Sequence, residues 1–318
     1  MLTNILKNRK CFKLICGAGN EDTLEIEKLI ALYATAGANF FDISATSESI
    51  EAAKSGIKRS GNNDCHICLS VGLKGDPHIR KARINKDRCI ICNKCKQSCP
   101  RNIDLTQEVD NKRCIGCGIC LNACDNNAIE LLDSIKSIPS ILSEINTEDI
   151  SCIELHIQNS NIDEIMYNWE YLNKNFDGIL SVCINGSELD KESHLKIITK
   201  LLSIRKPYTT IIQADGNSMS GLDNSFSTTQ KALDASKLFL NANLPAFIIP
   251  SGGTNEQTTY LAKQQNILID GVAIGSYARK IVVDEISRDD FFVNQAVFDF
   301  ALKKASQLVK NSLYFLVS

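Results

Sequence analysis

Eight of the fourteen cysteines in this 318-residue chain fall into two quartets, Cys89, Cys92, Cys95, Cys99 and Cys114, Cys117, Cys120, Cys124. Each quartet reads C-x2-C-x2-C-x3-C, and the flanks repeat with it. Asn85-Lys86-Asp87-Arg88-Cys89-Ile90 returns as Asp110-Asn111-Lys112-Arg113-Cys114-Ile115, an offset of 25 residues. An internal repeat of this kind implies two halves related by a pseudo-twofold axis.

The spacing is the ligand run of bacterial ferredoxin-type proteins that carry two cubane iron–sulfur clusters, and in such runs the fourth cysteine serves the other cluster. One [4Fe-4S] cluster then takes Cys89, Cys92, Cys95 and Cys124, and the other takes Cys114, Cys117, Cys120 and Cys99. Gly116 and Gly118 sit between ligands, where the backbone must come close to sulfur. Structural zinc pairs two CxxC knuckles across a longer insert, which this spacing does not suit. Disulfides are disfavoured because no signal peptide is visible and the chain is large. Pro100 follows the first quartet and Asp125 the second, an exchange that leaves the ligand count intact.

Charge agrees with bound clusters. From His78 to Leu132 there are ten Lys or Arg against six Asp or Glu, while the rest of the chain has 25 against 31. Two oxidised cubanes with eight thiolates contribute about −4, which offsets the local excess. No broad basic surface is left over for nucleic acid. No apolar run reaches membrane-spanning length, so an integral membrane protein is not expected. Thiolate-rich chains belong in a reducing compartment, and the expected location is the cytoplasm.

Removing residues 80–132 leaves 265 residues, close to the roughly 250 of a (β/α)8 barrel. Short apolar runs predict strands at Phe12–Cys16, Phe40–Ile43, His66–Val71, Cys152–His156, Gly178–Cys183, Thr210–Gln213, Ala246–Ile249 and Gly271–Ile274. Helical patterns fall between nearly all of them: Thr23–Ala36, Ser47–Arg59, Ser134–Asn146, Ile162–Asn173, His194–Ile204, Thr228–Asn241 and Asn255–Gln265. The expected fold is a TIM-like α/β barrel with an inserted two-cluster, ferredoxin-like α+β domain. The barrel spans 1–79 and 133–318, and the insertion spans 80–132. It leaves after the third strand through Gly72–Pro77, on the face where barrels carry their sites. Arg288–Val317 should be a closing helix.

The last two strands carry a second signal. Ser251, Gly252, Gly253 and Thr254 follow strand seven, and Gly275 and Ser276 end strand eight and open a helix. They form a candidate phosphate or flavin (FMN) site, weighed against plain βα turns. Asp42, Ser44, His156, Gln158, Asn185, Gln213 and Asp215 at strand ends are candidates for lining a pocket. Cys16 is the best-placed single thiol, set against a packing role that Cys11, Cys65, Cys68, Cys152 and Cys183 share. No lysine is obviously placed as a proton donor, no paired-carboxylate motif stands out, and the scattered histidines (His66, His78, His156, His194) show no metal spacing. No catalytic residue is assigned.

Phe12-Lys13-Leu14-Ile15-Cys16-Gly17-Ala18, Ala36-Gly37-Ala38-Asn39-Phe40-Phe41-Asp42-Ile43, Asp76-Pro77-His78-Ile79-Arg80-Lys81-Ala82 and Ser251-Gly252-Gly253-Thr254 resemble the light-dependent-period (LdpA) iron–sulfur family of cyanobacteria. The resemblance implies a redox sensor that relays light-dependent cellular redox state to the circadian clock. It further implies clock-associated proteins and an input kinase as partners, with the quinone pool or ferredoxin as redox donor. The rival reading is a flavin-dependent barrel oxidoreductase fed electrons by the two clusters.

Overall fold

A computed structural model describes residues 1–17, 19–73, 76, 79–106, 109–133, 136–157, 161–185, 191–216 and 226–317, with the side chain at position 185 excepted. A short helix α1 (Leu2–Lys7) leads into β1 (Cys11–Ile15), α2 (Thr23–Thr35), β2 (Phe40–Ser44), α3 (Ser47–Ser60) and β3 (His66–Gly72). The insertion follows as β4 (Arg80–Ile84), α4 (Lys94–Ser98), α5 (Ile119–Asn122) and β5 (Ile129–Asp133). The chain returns through α6 (Ile138–Glu144) to β6 (Cys152–Ile157), α7 (Ile162–Asn175), β7 (Ile179–Asn185), α8 (Lys191–Leu202) and β8 (Thr210–Asp215). Then come α9 (Phe226–Asn241), β9 (Phe247–Ser251), α10 (Thr258–Gln264), β10 (Gly271–Ile274), α11 (Ser276–Lys280), α12 (Val283–Ile286) and α13 (Gln295–Val317).

Eight parallel strands run in the order β10-β1-β2-β3-β6-β7-β8-β9. The Asp270 N–H donates to the Ile248 carbonyl at 2.9 Å, and the Ile248 N–H donates to Asp270 Oδ2 at 2.7 Å, drawing the two edge strands together. The result is a nearly closed (β/α)8 barrel with a ferredoxin-like insertion after its third strand. Strand bounds fall within two residues of the sequence expectation. The closing helix starts later, at Gln295, because Arg288, Asp290 and Asn294 bond one another into a turn first.

Alternation along each strand builds two cores. Phe12, Leu14, Phe41, Ile43, Ile153 and Leu155 point outward and pack under the helices. Cys11, Phe40, Cys68, Cys152, Ile211 and Phe247 point inward and close the barrel floor against Leu2, Ile5 and Leu6 of α1. That plugging helix is absent from the sequence expectation, since six residues give too few turns for a periodic signal.

The insertion is built on an antiparallel ladder from Arg80 opposite Asp133 to Ile84 opposite Ile129. Ala82, Ile103, Leu105 and Ile129 form its small core, together with Cys95, Cys114 and Cys120. Among the described residues, no helix is long and apolar enough to cross a membrane.

Candidate functional site

The eight quartet cysteines line two small cavities. Cys89, Cys92, Cys95 and Cys124 line one, and Cys99, Cys114, Cys117 and Cys120 line the other. Backbone amides already face sulfur: Ile91 N–H to Cys89 at 3.4 Å, Ala82 N–H to Cys114 at 3.3 Å and Ala128 N–H to Cys124 at 3.3 Å. Amides at this range steady thiolates that carry charge. Among the described residues, no three of the eight sulfurs lie within 4.8 Å of one another. Thiolates on a single tetrahedral zinc at about 2.3 Å stand about 3.8 Å apart. Four all-sulfur donors spread round a void fit a cubane and not one ion. Asp125, in the place of the usual proline, is ion-paired with Lys94 of the other half.

The insertion docks on the loop and first turn between β1 and α2. Glu21 N–H donates to the Lys112 carbonyl at 2.8 Å, and Lys81 Nζ donates to the carbonyls of Gly19 at 2.6 Å and Cys114 at 2.9 Å. Arg113 faces Asp22 at 3.6 Å. At the centre, both carboxylate oxygens of Glu25 accept from Arg101, and Oε1 also accepts from Arg279 Nε at 2.9 Å. Burial acts to raise the Glu25 carboxyl, but Arg101 and Arg279 outweigh it and hold it at about 2. Part of the insertion's basic excess is thus used for docking.

Between insertion and barrel lies a cavity of about 400 Å³. Its roof is Pro100, Arg101, Ile115, Cys117 and Ile119, so one cysteine of the second quartet faces directly into it. Its floor is Asp42, His156, Cys183, Gln213 and Asp215, and its rim includes Ser251–Thr254, Gly275, Ser276 and Lys280. Gly252 and Gly253 both take left-handed φ, 66° and 85°.

Beneath the floor is a polar layer. Lys13 Nζ donates to Glu154 Oε2 at 2.6 Å and Gln213 Oε1 at 2.6 Å, and faces Asp42 Oδ2 at 3.1 Å. An ammonium has three donors; two are hydrogen-bonded here, and Asp42 adds an ion pair. Glu154 also accepts from Ser181 at 2.7 Å and from Gln213 Nε2 at 2.8 Å, while Ser70 donates to Asp42. Burial pushes the Asp42 carboxyl up despite Lys13. Burial also acts to raise Glu154, but Lys13 and His156 draw it well below the usual range. Burial lowers His156, but Asp76 and Glu154 outweigh it and raise the imidazole to about 9.

Of the strand-end candidates, Asp42, His156, Gln213 and Asp215 meet at this cavity, as do Cys16 and all six residues of the phosphate or flavin candidate. Ser44 does not. Its hydroxyl donates to the Asn20 carbonyl at 2.8 Å and meets Ser49 at 2.7 Å. Gln158, His78 and the side chain of Asn185 lie outside the described residues. Sequence reasoning passed over Lys13 and Glu154. Their signal was a charge in the middle of an apolar strand, Cys-Phe-Lys-Leu-Ile and Cys-Ile-Glu-Leu-His-Ile. Cys183, read there as packing, has its sulfur 3.9 Å from Asp215 Oδ2 at the cavity floor.

A 4Fe-4S binding domain model matches residues 108–130, so an iron–sulfur site is present in the insertion. The chain is 29% identical over 286 residues to Light dependent period A of Synechococcus elongatus, covering 84% of this chain and 80% of that one. Among solved structures, a truncated 3-deoxy-D-arabino-heptulosonate 7-phosphate synthase from Thermotoga maritima is 12% identical with TM-score 0.42, covering 94% of this chain and 87% of that one. Dihydrodipicolinate synthase from Oceanobacillus iheyensis is 8% identical with TM-score 0.44, covering 98% and 80%. The model of the Light dependent period A C-terminal domain matches residues 144–311, more than half of the chain. The chain therefore belongs to the light dependent period A family.

Proposed function

We propose that this is a redox-sensing protein with two [4Fe-4S] clusters, held by Cys89, Cys92, Cys95, Cys124 and by Cys99, Cys114, Cys117, Cys120. The cluster domain is residues 80–132, set between barrel segments 1–79 and 133–318. The observation that carries this reading is the pair of four-cysteine cavities, the second of which shares Cys117 with the wall of the barrel cavity. Each cluster, when bound, supplies a one-electron redox centre. The family's name supports a role in which that state reports light-dependent conditions to clock-associated proteins, an input kinase among them. The donor is the quinone pool or a ferredoxin, and the protein works in the cytoplasm.

The chain's own part is to make the barrel feel charge at the quartet. Arg101 lies two residues beyond Cys99, and its guanidinium is bonded to Glu25 of α2. Arg279, which also lines the cavity, shares the same carboxylate. A change of charge near Cys99 therefore bears on the clamp that docks the insertion.

Anaerobically purified protein should contain about eight iron and eight sulfide per chain, and dithionite should develop an EPR signal of reduced cubanes. A value near four iron, or a Cys99→Ser protein with unchanged iron, would sink the two-cluster assignment. The size of the roofed cavity favours one second reading, a flavin oxidoreductase with FMN on Ser251–Thr254, Gly275 and Ser276. Denatured protein that releases a yellow, fluorescent flavin at one per chain decides for it, and a colourless supernatant decides against it.

A further inference from the structure

Glu154, His156 and Cys183 each offer one ligand atom, and these three atoms lie within 4.8 Å of one another at the cavity floor. We propose that they form a mononuclear site for a borderline-soft divalent metal ion, zinc being the prototype, separate from the cysteine quartets. Strand register builds it. His156 of β6 and Cys183 of β7 are direct partners across adjacent parallel strands, so their side chains stand side by side in one layer. Glu154 lies two residues before His156 and points to the same face, one layer down.

The donor set is one imidazole, one thiol and one carboxylate, which are the three ligand types zinc takes in protein sites. His156 Nε2 stands 3.3 Å from Glu154 Oε1, a separation that two ligands of one tetrahedral ion share. The outer shell is in place as well. His156 Nδ1 faces Asp76 Oδ2 at 3.4 Å, the carboxylate–histidine pairing that orients metal-bound imidazoles. Glu154 keeps Oε2 on Lys13 and Ser181, and Oε1, which also accepts from Gln213 Nε2 at 2.8 Å, faces His156, so the carboxylate is fixed from both sides.

Gly72, the register partner of His156 on the other side, belongs to the same construction. A Cβ there would stand 2.2 Å from Asp76 Oδ2, so only glycine admits the carboxylate behind the imidazole. His156 and Cys183 also line the cavity. A water or a ligand atom from that side completes the shell, as in zinc sites that act on a substrate.

The test uses the full chain, purified anaerobically, with zinc itself as probe. Zinc is titrated against a competing chelator and counted per chain, and X-ray absorption is recorded at the zinc edge. The expected result is one zinc per chain with a single sulfur at about 2.3 Å and nitrogen or oxygen neighbours at about 2.0–2.1 Å. Cys183→Ser should remove the sulfur scatterer and weaken zinc at least tenfold, and Asp76→Asn should weaken it about 10–100-fold. Iron content is measured on every sample, so loss of the clusters is seen separately from loss of this site. A zinc shell of four sulfurs, which places the ion in a quartet, overturns the proposal. So does wild-type protein that retains no zinc, a result that needs no variant to fold.

Discussion

Lys13 is a residue whose charge the barrel cannot lose cheaply. It is fully buried beside Glu154 and Asp42, and burial alone would lower its proton affinity, but the carboxylates raise it well above the ordinary lysine range. Lys13→Met leaves those carboxylates without their cation, which should cost about 3–5 kcal/mol in denaturant unfolding. A loss under 1 kcal/mol would show that the layer is held by its neutral hydrogen bonds instead. His156 gives a pH signature with a definite sign. Its imidazole rises from 6.5 to about 9 on folding. The stabilisation is complete below about pH 6.5 and disappears as pH climbs through 9. Melting temperature of zinc-free protein should therefore fall between pH 7 and 10, and His156→Gln should flatten that slope. The charges at Lys13 and Glu154 stood in the sequence, but a strand read as an apolar run hides which of its residues face the barrel axis. Only closure of the sheet brings β1, β6 and β8 within bonding distance.

At the scale of elements, the helix pair α2 and α3 shows how close packing is purchased with a missing side chain. A Cβ on Gly56 would sit 2.7 Å from the Glu27 carbonyl oxygen and 3.1 Å from the Ala31 nitrogen, both backbone atoms of the facing helix. Gly56→Ala gains helix propensity yet forces the helices apart, and overpacking of this kind costs about 1–3 kcal/mol. Thermal unfolding should show a lowered midpoint, and an unchanged or raised one would mean α3 can slide. Strands and long helices were legible because their apolar periods are strong and their caps are explicit. Asp22 accepts from the Glu25 N–H and Thr46 from the Ser49 N–H, each at a helix start. The six residues of α1 were not legible, because their role as a plug depends on an opening that exists only once eight strands close.

For the whole molecule, the exit of the insertion after β3 could be read from the chain, but its landing place could not. Glu21, Asp22 and Glu25 look like acids at an ordinary helix start, which α2 also needs. In the fold they receive Lys81, Arg113 and Arg101 from a segment more than fifty residues away. This junction is where redox state and shape should meet. A unit charge added within roughly 10 Å of a guanidinium changes its energy by about 2 kcal/mol at an effective dielectric near 20. Arg101, drawn toward a more negative quartet at Cys99, then holds Glu25 less firmly, and the backbone bond from Glu21 to Lys112 opens more often. Amide hydrogen exchange at Glu21 and through the first turn of α2 should accelerate about tenfold or more in dithionite-reduced protein relative to oxidised protein. Glu25→Gln should already exchange fast in both states, because the clamp is broken before any electron arrives. Equal exchange in the two states of the unaltered protein would mean the junction is a fixed mount. In that case any partner must read the clusters directly, at the exposed loop of Ile90, Ile91 and Cys92.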